Sequence, residues 1–106
     1  MTDYVAELKA TIQRLHRCEA SHTRTESVRE VVGGQLLFEG KVEVFALLGH
    51  DRALRCYAWG HLEEGLWEVS TVLAIPPVVS ASTAVLAAIA AKIKEQQAED
   101  EKPPAN

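Results

Sequence analysis

The chain has 106 residues, 47% hydrophobic and 25% charged, a composition that excludes a disordered chain and fits one globular domain. Eleven basic residues against fifteen acidic ones give a net charge of -4, which repels a phosphate backbone and argues against nucleic acid as a partner. Two cysteines, Cys18 and Cys56, are too few for a disulfide framework, and no basic-flanked apolar leader opens the sequence, so the expectation is a cytoplasmic protein with reduced thiols.

In chain order, Val5, Leu8, Ile12 and Leu15 recur at spacings of three and four and predict an amphipathic helix, capped by Thr2 or Asp3 and ending near Cys18 to Ala20. Ser21 to Val32 is rich in Thr and Val, while Arg24, Glu26, Arg29 and Glu30 mark it as an exposed edge strand. Gly33-Gly34 predicts a tight hairpin turn. In the next strand Leu36, Phe38, Val42, Val44, Ala46 and Leu48 share one parity, Glu39, Lys41 and Glu43 share the other, and Gly40 is a candidate bulge.

After Gly49-His50-Asp51-Arg52, a third strand from Ala53 to His61 alternates Leu54, Cys56 and Ala58 with Arg55, Tyr57 and Trp59. Glu63-Glu64-Gly65 turns into a fourth strand, Leu66 to Ile75, which Pro76-Pro77 stops for want of N–H donors. Ser80 is placed to cap a second helix running from Ala81 to about Gln97, with Val85, Leu86, Ile89 and Ile93 as its stripe. The domain then spans 1–98, and 99–106, acidic and proline-containing, is expected to be a disordered tail. Short turns between consecutive strands argue for an antiparallel meander. The expected fold class is therefore α+β, in the order α-β-β-β-β-α, with the N- and C-terminal helices packed on a four-stranded sheet.

The uncharged run from Val69 to Ala91 is long enough to span a bilayer, but Pro76-Pro77 interrupts it and Ser, Thr and Ala dilute it, so no membrane partner is expected. Phosphate loops, Cys-x-x-Cys, His-Glu-x-x-His and Gly-x-Ser-x-Gly are all absent from the sequence, which favours a non-enzyme, names no catalytic residue and implies no cofactor.

Polar and aromatic side chains concentrate around the third strand. Arg55, Tyr57, Trp59 and His61 fall on one face, and with His50 and Trp67 they form the candidate ligand or interface set, since amphipathic aromatics beside a cation and an imidazole suit a polar pocket or a protein surface. The competing account is that Tyr57 and Trp59 are packing residues with Arg55 and His61 at a solvated rim. His50-Asp51 resembles a base and its carboxylate, although Asp in Gly-His-Asp-Arg is more simply a turn residue. His16, Cys18 and His22, and again His50, Cys56 and His61, lie near one another in sequence, but their spacings fit no zinc pattern and no metal is expected.

The strings Gly49-His50-Asp51-Arg52-Ala53, Tyr57-Ala58-Trp59, Val72 to Val78 and Thr83-Ala84-Val85 resemble small uncharacterised bacterial α+β proteins of the mobile-gene-cassette kind. The resemblance covers about the last two-thirds of the chain. It implies a bacterial, cytoplasmic setting and assigns no activity.

If both helices cover one face of the sheet, Phe45, Leu47, Leu66, Val72 and Ala74 leave an apolar surface on the other, unusual for a monomer. The leading functional expectation is accordingly a homodimer that binds another protein. The alternative is a small-molecule binder or small enzyme with a pocket between sheet and helix, lined by Tyr57, Trp59 and Trp67 with His50, His61 or Arg55 supplying polarity.

Overall fold

The computed structural model describes residues 4–100. Their order is α1 (Tyr4–His16), β1 (Glu19–Val32), β2 (Gln35–Leu48), β3 (Arg55–Glu63), β4 (Leu66–Leu73) and α2 (Ala81–Asp100). The strands form one antiparallel sheet in the order β1-β2-β3-β4, the α+β meander that the turn spacing predicts. Thr2 and Asp3 lie outside the described residues. So does 101–106, the greater part of the predicted tail, whereas residues 99 and 100 belong to α2.

Glycines set two of the hairpins. Gly33 and Gly34 both have positive φ, 58° and 79°, as a two-residue turn matched to strand twist requires. Glu64 and Gly65, at 53° and 80°, do the same between β3 and β4. Gly40 marks no bulge, since it pairs regularly with Val28; the irregularities fall instead between His22 and Arg24 and between Glu30 and Val31.

The two helices lie on opposite faces of the sheet. Leu8 and Ile12 of α1 are fully buried against Phe45, Leu47, Cys56 and Ala58, one parity of β2 and β3. Ala81, Ala84 and Val85 of α2 cover Val42, Val44, Tyr57 and Trp59, the other parity. The open second face on which the dimer expectation rested is therefore occupied by α1. This double cover also explains Glu43: alternation places it with Glu39 and Lys41, yet it is only 4% exposed, because it sits where the sheet is covered.

Each helix buries a narrower stripe than its large apolar residues suggest. Leu15 is exposed because α1 ends one residue later, and Leu86 and Ile93 of α2 are also exposed while Ala81, Ala84 and Ala88 carry the contact. Small side chains let the α2 backbone lie close to the sheet, so the aromatic residues beneath supply the bulk. Ser80 caps α2 as predicted: its Oγ accepts from the Thr83 N–H at 3.2 Å, and Thr83 Oγ1 accepts from the Ser80 N–H at 2.9 Å. Ser82 further donates a hydrogen bond to Glu30 on β1.

Tyr57 is fully buried beneath α2, and its hydroxyl has no hydrogen-bond partner among the described residues. A buried hydroxyl without a partner costs about 1–3 kcal/mol. Tyr57→Phe is expected to raise stability by about 1 kcal/mol, read as a higher urea midpoint at unchanged m-value. A lower midpoint would mean that the hydroxyl is engaged.

Candidate functional site

The sheet is not paired along its whole length. β1 and β2 are each 14 residues long and pair throughout, but β2 and β3 pair only from Glu43 to Ala46 against Ala58 to Arg55. Beyond the Glu43–Ala58 pair the two hairpins part, and side chains bridge what backbone hydrogen bonds do not. On the α2 face the Phe38 and Trp59 rings meet edge to face at a centroid distance of 5.7 Å. On the α1 face the Tyr4 hydroxyl accepts the Gly60 N–H at 2.8 Å.

Above the parting lies a cavity of about 280 Å³ walled by Leu37, Phe38, Trp59, Val85 and Ile89, with His61, Ser70 and Lys92 as its polar lining. A shallower groove of about 460 Å³ continues on the other side of α2, sharing His61, Ser70, Ala88 and Lys92 and adding Glu68 and Glu95. His61 Nε2 and Ser70 Oγ are 3.1 Å apart on adjacent strands, at the junction of the two spaces. Apolar walls with a few convergent polar groups are the usual make-up of a small-molecule site.

The Ser–His pair is also the beginning of a nucleophilic site, but both residues stand within a β ladder whose amides lie in the plane of the sheet. A nucleophilic site would need, beyond that pair, N–H groups directed at an oxyanion near Ser70 Oγ.

The predicted set divides. Tyr57, Trp59 and His61 share the α2 face, as alternation requires, but only Trp59 and His61 line the cavity, Tyr57 being enclosed in the core. Arg55 is exposed at the far end of the same face, six residues and ~20 Å from His61. Trp67 is on the opposite face. It pairs with Leu62, meets Tyr4 edge-on at 5.9 Å, and lies across Gly60 so closely that a Cβ there would fall 2.1 Å from the ring. A single pocket lined by Tyr57, Trp59 and Trp67 is therefore not formed.

His50 builds a turn. Its Nδ1 accepts the backbone N–H groups of Arg52 and Ala53, both at 3.0 Å, and Asp51 beside it is 3.9 Å away with its side chain 92% exposed. The ring faces His16 edge-on at a centroid distance of 6.2 Å, and His16 Nε2 is 3.0 Å from Thr71 Oγ1.

Burial, and secondarily the neighbouring His50, holds His16 below its ordinary pKa of 6.5. The unfolded chain then takes up the proton more readily than the folded one, so this contribution to stability is complete above pH 6.5 and is lost as the pH falls through the folded-state value. His16→Gln, which keeps a partner for Thr71 without titrating, is expected to flatten the stability profile between pH 7 and 5 in urea titrations. An unchanged slope would exclude His16 as its source.

Among the described residues no three His, Cys, Asp or Glu side chains converge on a possible metal position. His61 and Cys56 point to opposite faces of β3, and His22 is engaged by Glu43 at 2.9 Å. Burial drives the Cys56 thiol up to about 12, which keeps it protonated and unreactive.

Sequence reasoning missed Ser70, Lys92 and the His22–Glu43 pair. Strand length gave no signal for the cavity, since a nine-residue β3 could pair with nine residues of β2 and pairs with only four. No protein family, curated protein or solved structure matches this chain.

Proposed function

We propose that this protein is a non-enzymatic binding module that takes a small molecule in the groove beneath α2. The observation that carries this reading is the parting of β2 and β3 beyond Glu43–Ala58, which opens an apolar cavity with His61 and Ser70 at its mouth. No helix among the described residues is long and apolar enough to cross a membrane, and a bacterial, cytoplasmic setting belongs to the same proposal. Native mass spectrometry of protein purified without denaturation is the direct test. Added mass that is lost on unfolding, and lost again when Ala88→Trp fills the shared wall, is the expected result; protein of bare chain mass that fails to bind any member of a metabolite library would overturn it.

A second reading keeps the homodimer or protein partner. Leu62 and Trp67, 71% and 50% exposed, pair on the α1 face at the end of the β3–β4 hairpin, and Leu66, 68% exposed, lies on the other face beside them. Such a cluster suits self-association or a protein ligand. Sedimentation at micromolar to millimolar protein separates the cases: a mass rising from monomer to dimer, and reversed by Leu62→Lys, supports association, whereas a constant monomer mass removes the homodimer.

A further inference from the structure

We infer that the chain pairs with a second copy of itself through the free edge of β1, the two strands running antiparallel about a two-fold axis at Ser27. The surface is separate from the groove beneath α2 and from the cluster of Leu62, Leu66 and Trp67. β1 is an outer strand of the sheet and has 14 residues, where roughly five or six are usual. An edge of that length is a template for another strand. Beside it a groove of about 300 Å³ runs along 26–30 and is bordered by 80–82 at the start of α2.

The register follows from where β1 is regular. Its pairing with β2 is irregular between His22 and Arg24 and again between Glu30 and Val31, which leaves 24–30 as one regular stretch. Irregularities bend an edge and end its pairing, so this stretch is the part that offers a ladder. Pairing it with itself about its midpoint sets Arg24 opposite Glu30 of the second copy at both ends, Thr25 opposite Arg29, and Glu26 opposite Val28. Arg24 and Glu30 pair within the chain with Val44 and Phe38, so both are on the α2 face and meet there. Other centres are worse. A centre at Glu26 sets that residue against itself, and one at Val28 sets Glu26 against Glu30, like charges in both cases. A centre at Thr25 matches Arg24 with Glu26 but keeps only 24–26 within regular backbone. Arg24 already meets Glu26 at 3.4 Å, and Glu30 accepts from Ser82. A guanidinium has about five donors and a carboxylate about four acceptor sites, so neither group is saturated by these contacts.

Sedimentation of the whole chain is the test. The mass of the parent is expected to rise from one chain to two across the micromolar to millimolar range. Arg24→Glu and Glu30→Arg each bring like charges together at two symmetry-related places, and each alone should weaken dimerisation roughly 10–100-fold. Mixed in equal amounts they should associate as tightly as the parent, because each then meets opposite charge in the other. Far-UV circular dichroism matching the parent's checks that both are folded. Arg24 is exposed, so Arg24→Glu decides the matter even where Glu30→Arg fails to fold. Leu62→Lys should leave this dimer intact. A parent of constant monomer mass, a dimer indifferent to Arg24→Glu, or folded variants that stay monomeric when mixed would each overturn the β1 pairing, and none of these results touches the small-molecule reading.

Discussion

Trp59→Ala is expected to cost about 3–5 kcal/mol. Its indole is 95% buried and does two jobs that are usually shared among many contacts. It is core for α2, packed with Val85 and beneath Ala84 and Ala88. It is also, with Phe38, the bridge between two hairpins that have no backbone ladder joining them beyond Glu43–Ala58. Where a sheet is fully paired, removing one ring leaves its strands tied by hydrogen bonds. Here the Phe38–Trp59 contact stands where that ladder would be, so the truncation should loosen the distal half of β1–β2 as well as lower global stability. Hydrogen exchange separates the two effects: amides of 36–41, paired with β1 alone, should lose protection by more than those of 43–46, which β3 also pairs. Equal loss in both stretches would show that the hairpins do not depend on this contact to stay together. Phe38→Ala, at a half-buried position, should produce the same local pattern at a smaller global cost.

The order of elements was legible because each boundary has a local cause. Gly33-Gly34 and Glu64-Gly65 supply the positive φ angles of two-residue turns, and Ser80 supplies a cap; neither depends on the rest of the fold. What alternation cannot convey is which helix covers which parity. Phe45 and Leu47 read as surplus apolar residues until α1 is placed on them, and the inferred open face disappears with that placement.

The position of Trp67, by contrast, could have been worked out. A two-residue turn at Glu64-Gly65 pairs 63 with 66, 62 with 67 and 59 with 70, so an odd-numbered residue on β3 and an odd-numbered residue on β4 must face opposite ways. Trp59 and Trp67 are both odd-numbered and could never have lined one pocket. The His61–Ser70 contact follows from the same register, because Ser70 is on the face of Trp59 and His61. Lys92 was not legible, since its approach to the groove depends on how closely an alanine-rich helix lies on the sheet.

His22→Leu and Glu43→Leu are each expected to destabilise the protein by about 1–3 kcal/mol, while the double variant returns close to the parent. Glu43 is a carboxylate at 4% exposure on the α1 face, held by His22 Nε2 at 2.9 Å and by the Thr25 hydroxyl. Removing His22 strips the carboxylate of one of its two partners without returning it to water. Removing Glu43 leaves an imidazole and a hydroxyl with nothing to bind, a milder loss because the His22 side chain is 32% exposed and can turn toward solvent. The double replacement deletes the polar pair from both strands at once and extends the apolar surface already present at Phe45, whose ring lies 5.3 Å from that of His22. Folding free energy then regains the desolvation that the pair cost, so the cycle should be strongly non-additive, with an interaction energy of about 1–3 kcal/mol. Additive losses would mean that Glu43 and His22 are each stabilised by other contacts and that their approach is incidental. A restored double variant would identify the pair as a device for register: with β1 irregular between His22 and Arg24, the Glu43 contact fixes which residues of that edge strand face α1, and a slip by one position would bury Arg24 in its place.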